Sequence, residues 1–229
     1  MDQLFLDLFG QQPGGSSATI VALSALSSLL TGVALLLLAR RNDLGWWVKV
    51  LAVFAGPLVT ALLFGYDGLV GALPAMAVAA YGLWRFSKYP AFGRFGRVVA
   101  VRGATPASVA WGFGLTAVLT ALNLGPLLWS GLVFGGGTSS IWLNAFFGAM
   151  ITAALVGIAN GFRWAWLAVA ASSVGYVAVF FASAPARATL GVLVLQFGAA
   201  LYGWWSWRQA PAEADAEPAE TYPPHPYAE

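Results

Sequence analysis

The chain has 229 residues, of which 59% are hydrophobic and only 9% charged, with 27 Gly, 11 Trp, a formal net charge of +2 and a mean hydropathy of +0.76. An ordinary globular domain carries about 25% charged residues, so a soluble fold of this size lacks the polar side chains to cover its surface, and a water-soluble enzyme is disfavoured. The absence of cysteine excludes disulfides, thiol catalysis and thiolate metal sites.

Residues 1–17 contain Asp2 and Asp7 but no Lys or Arg. They lack the basic region of a cleavable signal peptide, so they read as an extracytoplasmic N-terminus ahead of a span that is retained. Seven apolar runs follow, Ala18–Ala39, Leu44–Gly65, Leu69–Phe86, Ala107–Leu124, Ile141–Ala159, Trp164–Ser183 and Ala188–Trp207. About 20 apolar residues make one helical crossing, and no alternating pattern of the outer-membrane barrel type is present, so the expected fold is an all-α integral membrane protein of seven helices. Residues 125–140, GPLLWSGLVFGGGTSS, are apolar but broken by Gly and Pro; they fit either an extension of the fourth helix or an interfacial stretch. From 208 to 229 acidic residues alternate with prolines, the composition of a disordered tail in which His225 is solvated.

The basic residues are distributed on one side. Arg40, Arg41, Lys49, Arg85, Lys88, Arg94, Arg97, Arg102, Arg163 and Arg208 fall on the side shared by the connections after spans 1, 3 and 5 and the tail, against Arg187 alone on the other. The positive-inside rule then places the N-terminus outside and the C-terminus in the cytoplasm of a bacterial plasma membrane. The basic connection over 87–106 reads either as an interfacial helix on anionic lipid or as a plain loop. Lys49, a turn into the second span, is expected to snorkel to the headgroups.

The third span ends Tyr81-Gly82-Leu83-Trp84-Arg85-Phe86 and the seventh Tyr202-Gly203-Trp204-Trp205-Ser206-Trp207, with five identities over eighteen aligned positions. RRNDLGWW opens the second span and NGFRWAW the sixth. The pattern predicts two similarly oriented three-helix units, 18–86 and 141–207, joined through a linker helix and outer loop over 107–140, a 3+1+3 arrangement of parallel repeats. Aromatic residues at helix ends also fit a simple interfacial belt.

No carboxylate lies at mid-membrane, which disfavours ion-coupled transport. A retinal protein would need a Lys in the last span, and intramembrane hydrolases need His-containing centres; neither can be assembled here. The reading is therefore not an enzyme, with no metal, no cofactor and no nucleic-acid partner. The uncharged polar groups that remain in the spans, among them Asn123, Asn144, Gln196, Tyr81 and Tyr202, could serve as bonds between helices. On the seventh span, however, Gln196, Ala200, Gly203, Trp204 and Trp207 share one face, which suits a flat heterocycle stacked on indoles with its polar edge on the amide.

These motifs resemble those of the PnuC family of bacterial vitamin transporters, also called nicotinamide mononucleotide transporters, whose Trp-x-x-Trp after Tyr-Gly is matched by Trp204 and Trp207. The resemblance implies a 3+1+3, SWEET-like fold, a homo-oligomer (a trimer), and facilitated diffusion of nicotinamide riboside, or of thiamine or riboflavin as in relatives. It further implies a substrate site between the units, with stacking by Trp204, Trp207, Tyr202, Tyr81 and Trp84 and hydrogen bonding by Gln196, Asn144 and Asn123. Departures from the pattern bear on the substrate: the second and sixth spans lack the family's Asn, Gln196 lies farther from the outer end than the family's Gln, and Leu83 and Phe86 occupy the two Trp positions in the first unit. The alternative is a non-transporting membrane subunit or scaffold whose aromatics serve only packing.

Overall fold

The computed structural model describes residues 18–58, 66–88, 91–93, 96–129, 138–181 and 187–209. The expectations for residues 1–17, for the loop over 130–137 and for the tail beyond 209 lie outside the described residues. Seven helices are present among the described residues: α1 (Ala18–Ala39), α2 (Leu44–Val53, continued by a π-turn over Phe54–Leu58), α3 (Tyr66–Lys88), α4 (Pro106–Trp129), α5 (Thr138–Ala159), α6 (Trp164–Phe181) and α7 (Arg187–Gln209). At 1.5 Å rise per residue, the 22 residues of α1 extend about 33 Å, enough for the hydrocarbon layer.

One expectation is corrected. Among its described residues the connection after α3 holds no interfacial helix: β1 (Ala91–Gly93) and β2 (Gly96–Val98) form an antiparallel pair, with Ala91 opposite Val98 and Gly93 opposite Gly96. Pro90, Gly93, Gly96 and Gly103 interrupt the run and disfavour a helix, whereas an antiparallel pair bonds its backbone locally. Beyond it, Val99 and Val101 are buried, and Arg102 joins the α5–α6 turn through its N–H to the Gly161 carbonyl (2.8 Å) and its carbonyl from the Arg163 N–H (3.3 Å).

Neighbour relations close a cycle: α1 packs on α2, α2 on α3, α3 on α5, α5 on α6, α6 on α7, and α7 back on α1. Helix α4 packs on α5 from outside this ring. Its contact edge is narrow, with Ser108, Gly112 and Thr116 buried four residues apart, while Trp111, Phe113, Val118 and Leu122 stay exposed. The ring helices likewise carry apolar outward stripes, Leu26, Leu29 and Val33 on α1, Leu44, Trp47, Leu51 and Phe54 on α2, and Val194 and Leu201 on α7. An exposed apolar belt of this extent is matched by lipid rather than water.

The turns α1–α2 and α5–α6 are built alike, 120 residues apart. Arg41 (φ 57°) and Gly161 (φ 82°) are both left-handed. In the first turn the Asn42 N–H donates to the Leu37 carbonyl and the Arg41 N–H to the Leu38 carbonyl; in the second, Phe162 donates to Gly157 and Gly161 to Ile158. This is the Schellman closure of a helix C-terminus. Each next helix then opens with the same contacts, Trp46 N–H to the Asp43 carbonyl and Trp166 N–H to the Arg163 carbonyl. The buried positions follow the same offset: Ala34, Leu35, Leu38, Ala39 and Trp46 against Ala154, Leu155, Ile158, Ala159 and Trp166.

Candidate substrate site inside the ring

The direction of each helix face follows from its exposure pattern. On α7 the outward stripe of Val194, Leu201, Tyr202 and Trp205 lies opposite Gln196, Ala200, Gly203 and Trp207, all four of which are buried. Gln196 as a whole is 8% exposed. Toward the turn end, Trp207 meets Trp166 edge to face, ring centroids 5.4 Å apart at 78°. The first half holds a matching pair, Trp46 on Phe86 at 5.7 Å and 76°. Both tryptophans, Trp46 and Trp166, lie flat over a glycine, Gly82 and Gly203 respectively, where a Cβ would penetrate the ring. The indole N–H groups of Trp46, Trp166 and Trp207 are buried without a partner among the described residues.

The other sequence-predicted site residues are dispersed. Trp204 is half-buried at the rim, with the Arg163 and Arg208 guanidinium carbons 5.9 and 5.7 Å from its ring centre, a cation–π arrangement that occupies the indole with the protein's own charges. The Tyr81 hydroxyl donates to the Asn160 Oδ1 (2.9 Å), bridging α3 to the α5–α6 turn. Tyr202 and Trp84 are on outward faces, 38% and 47% exposed, and so are not brought to the ring interior. Trp84 instead borders a cleft of about 460 Å³ on the flank of α2 and α3, with Asp43, Trp47, Leu83, Phe86 and Ser87. Asn123 is half-buried on the peripheral α4, and Asn144 belongs to the second turn of α5, its side chain outside the described residues.

Lys49 does not snorkel to the membrane surface. Its ammonium donates to Thr31 Oγ1 on α1 (3.2 Å), because α2 places Lys49 opposite its exposed stripe, on the face of Gly45, Ala52 and Gly56 that packs against α1. The small residues at those positions bring the two helices close, and the long side chain follows the gap between them. That spacing, small residues at i−4, i+3 and i+7 around a lysine, is the signal in the sequence that marks an inward orientation. Ser172, Ser173 and Thr152 are satisfied within their own helices, donating to the carbonyls of Val169, Val169 and Gly148.

The fold is similar to that of a solved protein, the vitamin B3 transporter PnuC in its crystal structure, at a TM-score of 0.59 and 14% sequence identity, over 84% of this chain and 81% of that one. The chain has a PnuC-like fold. No protein-family model and no curated relative matches it in sequence. With the PnuC-like fold and the apolar belt together, the chain is a multi-pass membrane protein.

Proposed function

We propose that the protein is a facilitator carrying a water-soluble, flat-ringed vitamin-type molecule across a bacterial plasma membrane, with its N-terminus outside. In this reading α1–α3 and α5–α7 are parallel three-helix units joined through α4, and the substrate sits between them. The recurrence of the turn hydrogen bonds, of the two glycine-seated tryptophans and of the buried positions at a 120-residue offset supports two equivalent units. The fold shared with a vitamin B3 transporter supports the class of cargo. The observation that carries the reading is Gln196, an amide-bearing residue only 8% exposed on the ring-facing side of α7, above the Trp166–Trp207 pair. A buried amide left unmatched in hydrocarbon is costly, and a polar-edged ring arriving between the units would satisfy it. Passage proceeds by rocking of one unit against the other.

The test is uptake into proteoliposomes of labelled nicotinamide riboside, thiamine, riboflavin and nicotinate, with and without Gln196→Leu. At least one compound is expected to enter at a saturable rate, and the variant to lose about tenfold of its uptake, the worth of one good hydrogen bond. If none enters, transport is overturned in favour of a scaffold.

A further inference from the structure

The polar groups of the ring interior are mostly donors. Lys49 faces inward with its Nζ on Thr31 Oγ1, and the buried indole N–H groups of Trp46, Trp166 and Trp207 have no acceptor among the described residues. Gln196 is near Lys49 in depth: Ser206 Oγ donates to the Ala39 carbonyl (2.9 Å), so α7 and α1 are level there, and counting back ten residues to Gln196 and eight to Thr31 leaves about 3 Å between them along the axis. Three adjacent helices, α2, α1 and α7, thus present an ammonium, a hydroxyl and an amide to the interior within a helical turn.

Among the described residues no carboxylate pairs with this cation. Five of the nine carboxylates are in the tail, Asp2 and Asp7 precede α1, Asp43 is in the α1–α2 turn, and Asp67 is the second residue of α3, at the far end from that turn. An ionisable group within a bilayer is costly and is retained for a counter-ion or a substrate. Nor does the architecture require it, since the position 120 residues later is Val169, fully buried.

We infer that Lys49, with Thr31 and Gln196, forms the recognition site for an anionic group of the transported molecule, and that this molecule is a flat ring bearing a carboxylate. The inference rests on the transport reading above and narrows its substrate class. One ammonium matches one negative charge. A phosphate monoester carries close to two at neutral pH and calls for further cations, but no second Lys or Arg shares the ring-facing stretch of α2, α1 and α7. A cationic pyridinium or thiazolium is repelled by Lys49 in the low dielectric of the interior.

The experiment compares ring compounds that differ in charge, by thermal stabilisation of the purified full chain in detergent. The probes are nicotinate and 4-aminobenzoate, their amides, nicotinamide riboside, thiamine and nicotinamide mononucleotide. At least one carboxylate is expected to bind about tenfold more tightly than its amide, with the cations and the phosphate ester weaker still. Lys49→Met should bring the carboxylate and amide to within about threefold of each other; Lys49→Arg should keep the carboxylate ahead. Thr31→Val, which leaves the cation in place, reports on the site should the Met variant fail to fold, and should weaken the carboxylate severalfold while leaving the amide unchanged. Binding of no carboxylate, preference for a cation or for the phosphate ester, or an unchanged carboxylate-to-amide ratio in the folded Lys49→Met protein overturns the inference. Uptake of riboflavin or thiamine that is indifferent to Lys49 removes the carboxylate site and leaves transport standing, whereas absence of any uptake removes both.

Discussion

Gly82 and Gly203 are seats for indoles. Each comes from a Tyr-Gly pair near the end of α3 or α7, and each lies beneath a tryptophan near the start of α2 or α6, Trp46 or Trp166, so closely that a methyl group would overlap the ring. Both tryptophans are fully buried and extend the contact edge to face onto Phe86 or Trp207. Gly203→Ala therefore cannot be absorbed by a rotamer change of a flexible chain end; the Trp166 ring itself must move. Such overpacking costs about 1–3 kcal/mol. The variant should melt measurably below the parent in detergent, and Gly82→Ala should do the same through Trp46. Melting curves unchanged in both variants would show that the indoles are not fixed there. The Tyr-Gly motif was visible in the sequence, but its role was not. Read along one helix, Gly203 is a gap on the face of Gln196 and Trp207 and suits a ligand; the side chain that fills it comes from α6, and close approach between distant segments leaves no trace in local spacing.

At the scale of helices and turns, most of the architecture was legible. Hydropathy set α1, α2 and α6 at their first residues and the remaining helices to within three residues, since caps and charges coincide with the ends of apolar runs. Two features were not. The π-turn at Phe54–Leu58 arises where Pro57 has no N–H to give, and it absorbs one extra residue: Gly56 closes on Ser27 and Gly175 on Phe147, so that the offset of 120 between Ser27 and Phe147 becomes 119 across the glycines. The hairpin after α3 depends on pairing that no helical or transmembrane pattern announces. The two Schellman turns differ in one respect, Arg41 standing where the second has Gly161. At Gly161 the left-handed backbone is joined by steric closure, a Cβ there meeting the Ala100 carbonyl oxygen of the segment docked alongside. Gly161→Ala is expected to cost about 1–2 kcal/mol from the backbone alone, with a further loss as the Arg102–Gly161 contact is pushed apart. Comparison of chemical-denaturation midpoints with a Gly103→Ala control, where a Cβ would meet nothing, measures it. Equal midpoints for the two variants would contradict the closure.

For the molecule as a whole, the ends of the ring differ in charge and in closure. Arg40, Arg41, Arg85, Arg102, Arg163 and Arg208 gather at the turn end, where Trp46, Phe86, Val99, Val101, Trp166 and Trp207 form one buried cluster that seals the interior. In the proposed transport reading, a substrate leaving by that end must part these side chains, and Tyr81 is placed to hold them, since its bond to Asn160 ties α3 to the α5–α6 turn. Tyr81→Phe removes about 1 kcal/mol of that tie. If release at the turn end limits transport, the variant should carry substrate faster at saturation while melting slightly lower, the reverse of what loss of a substrate contact would give. The side of the membrane on which this end lies can be read independently, because the chain has no cysteine to interfere. With nine of the eleven basic residues assigned by the sequence to the turn-end side and Arg187 alone to the other, Ser87→Cys should resist a membrane-impermeant maleimide in intact cells and react after lysis, while Ser139→Cys, in the first turn of α5, should react in both. The opposite labelling pattern would invert the protein in the membrane and make the sealed end the entrance, so that Tyr81 would then govern uptake affinity in place of release.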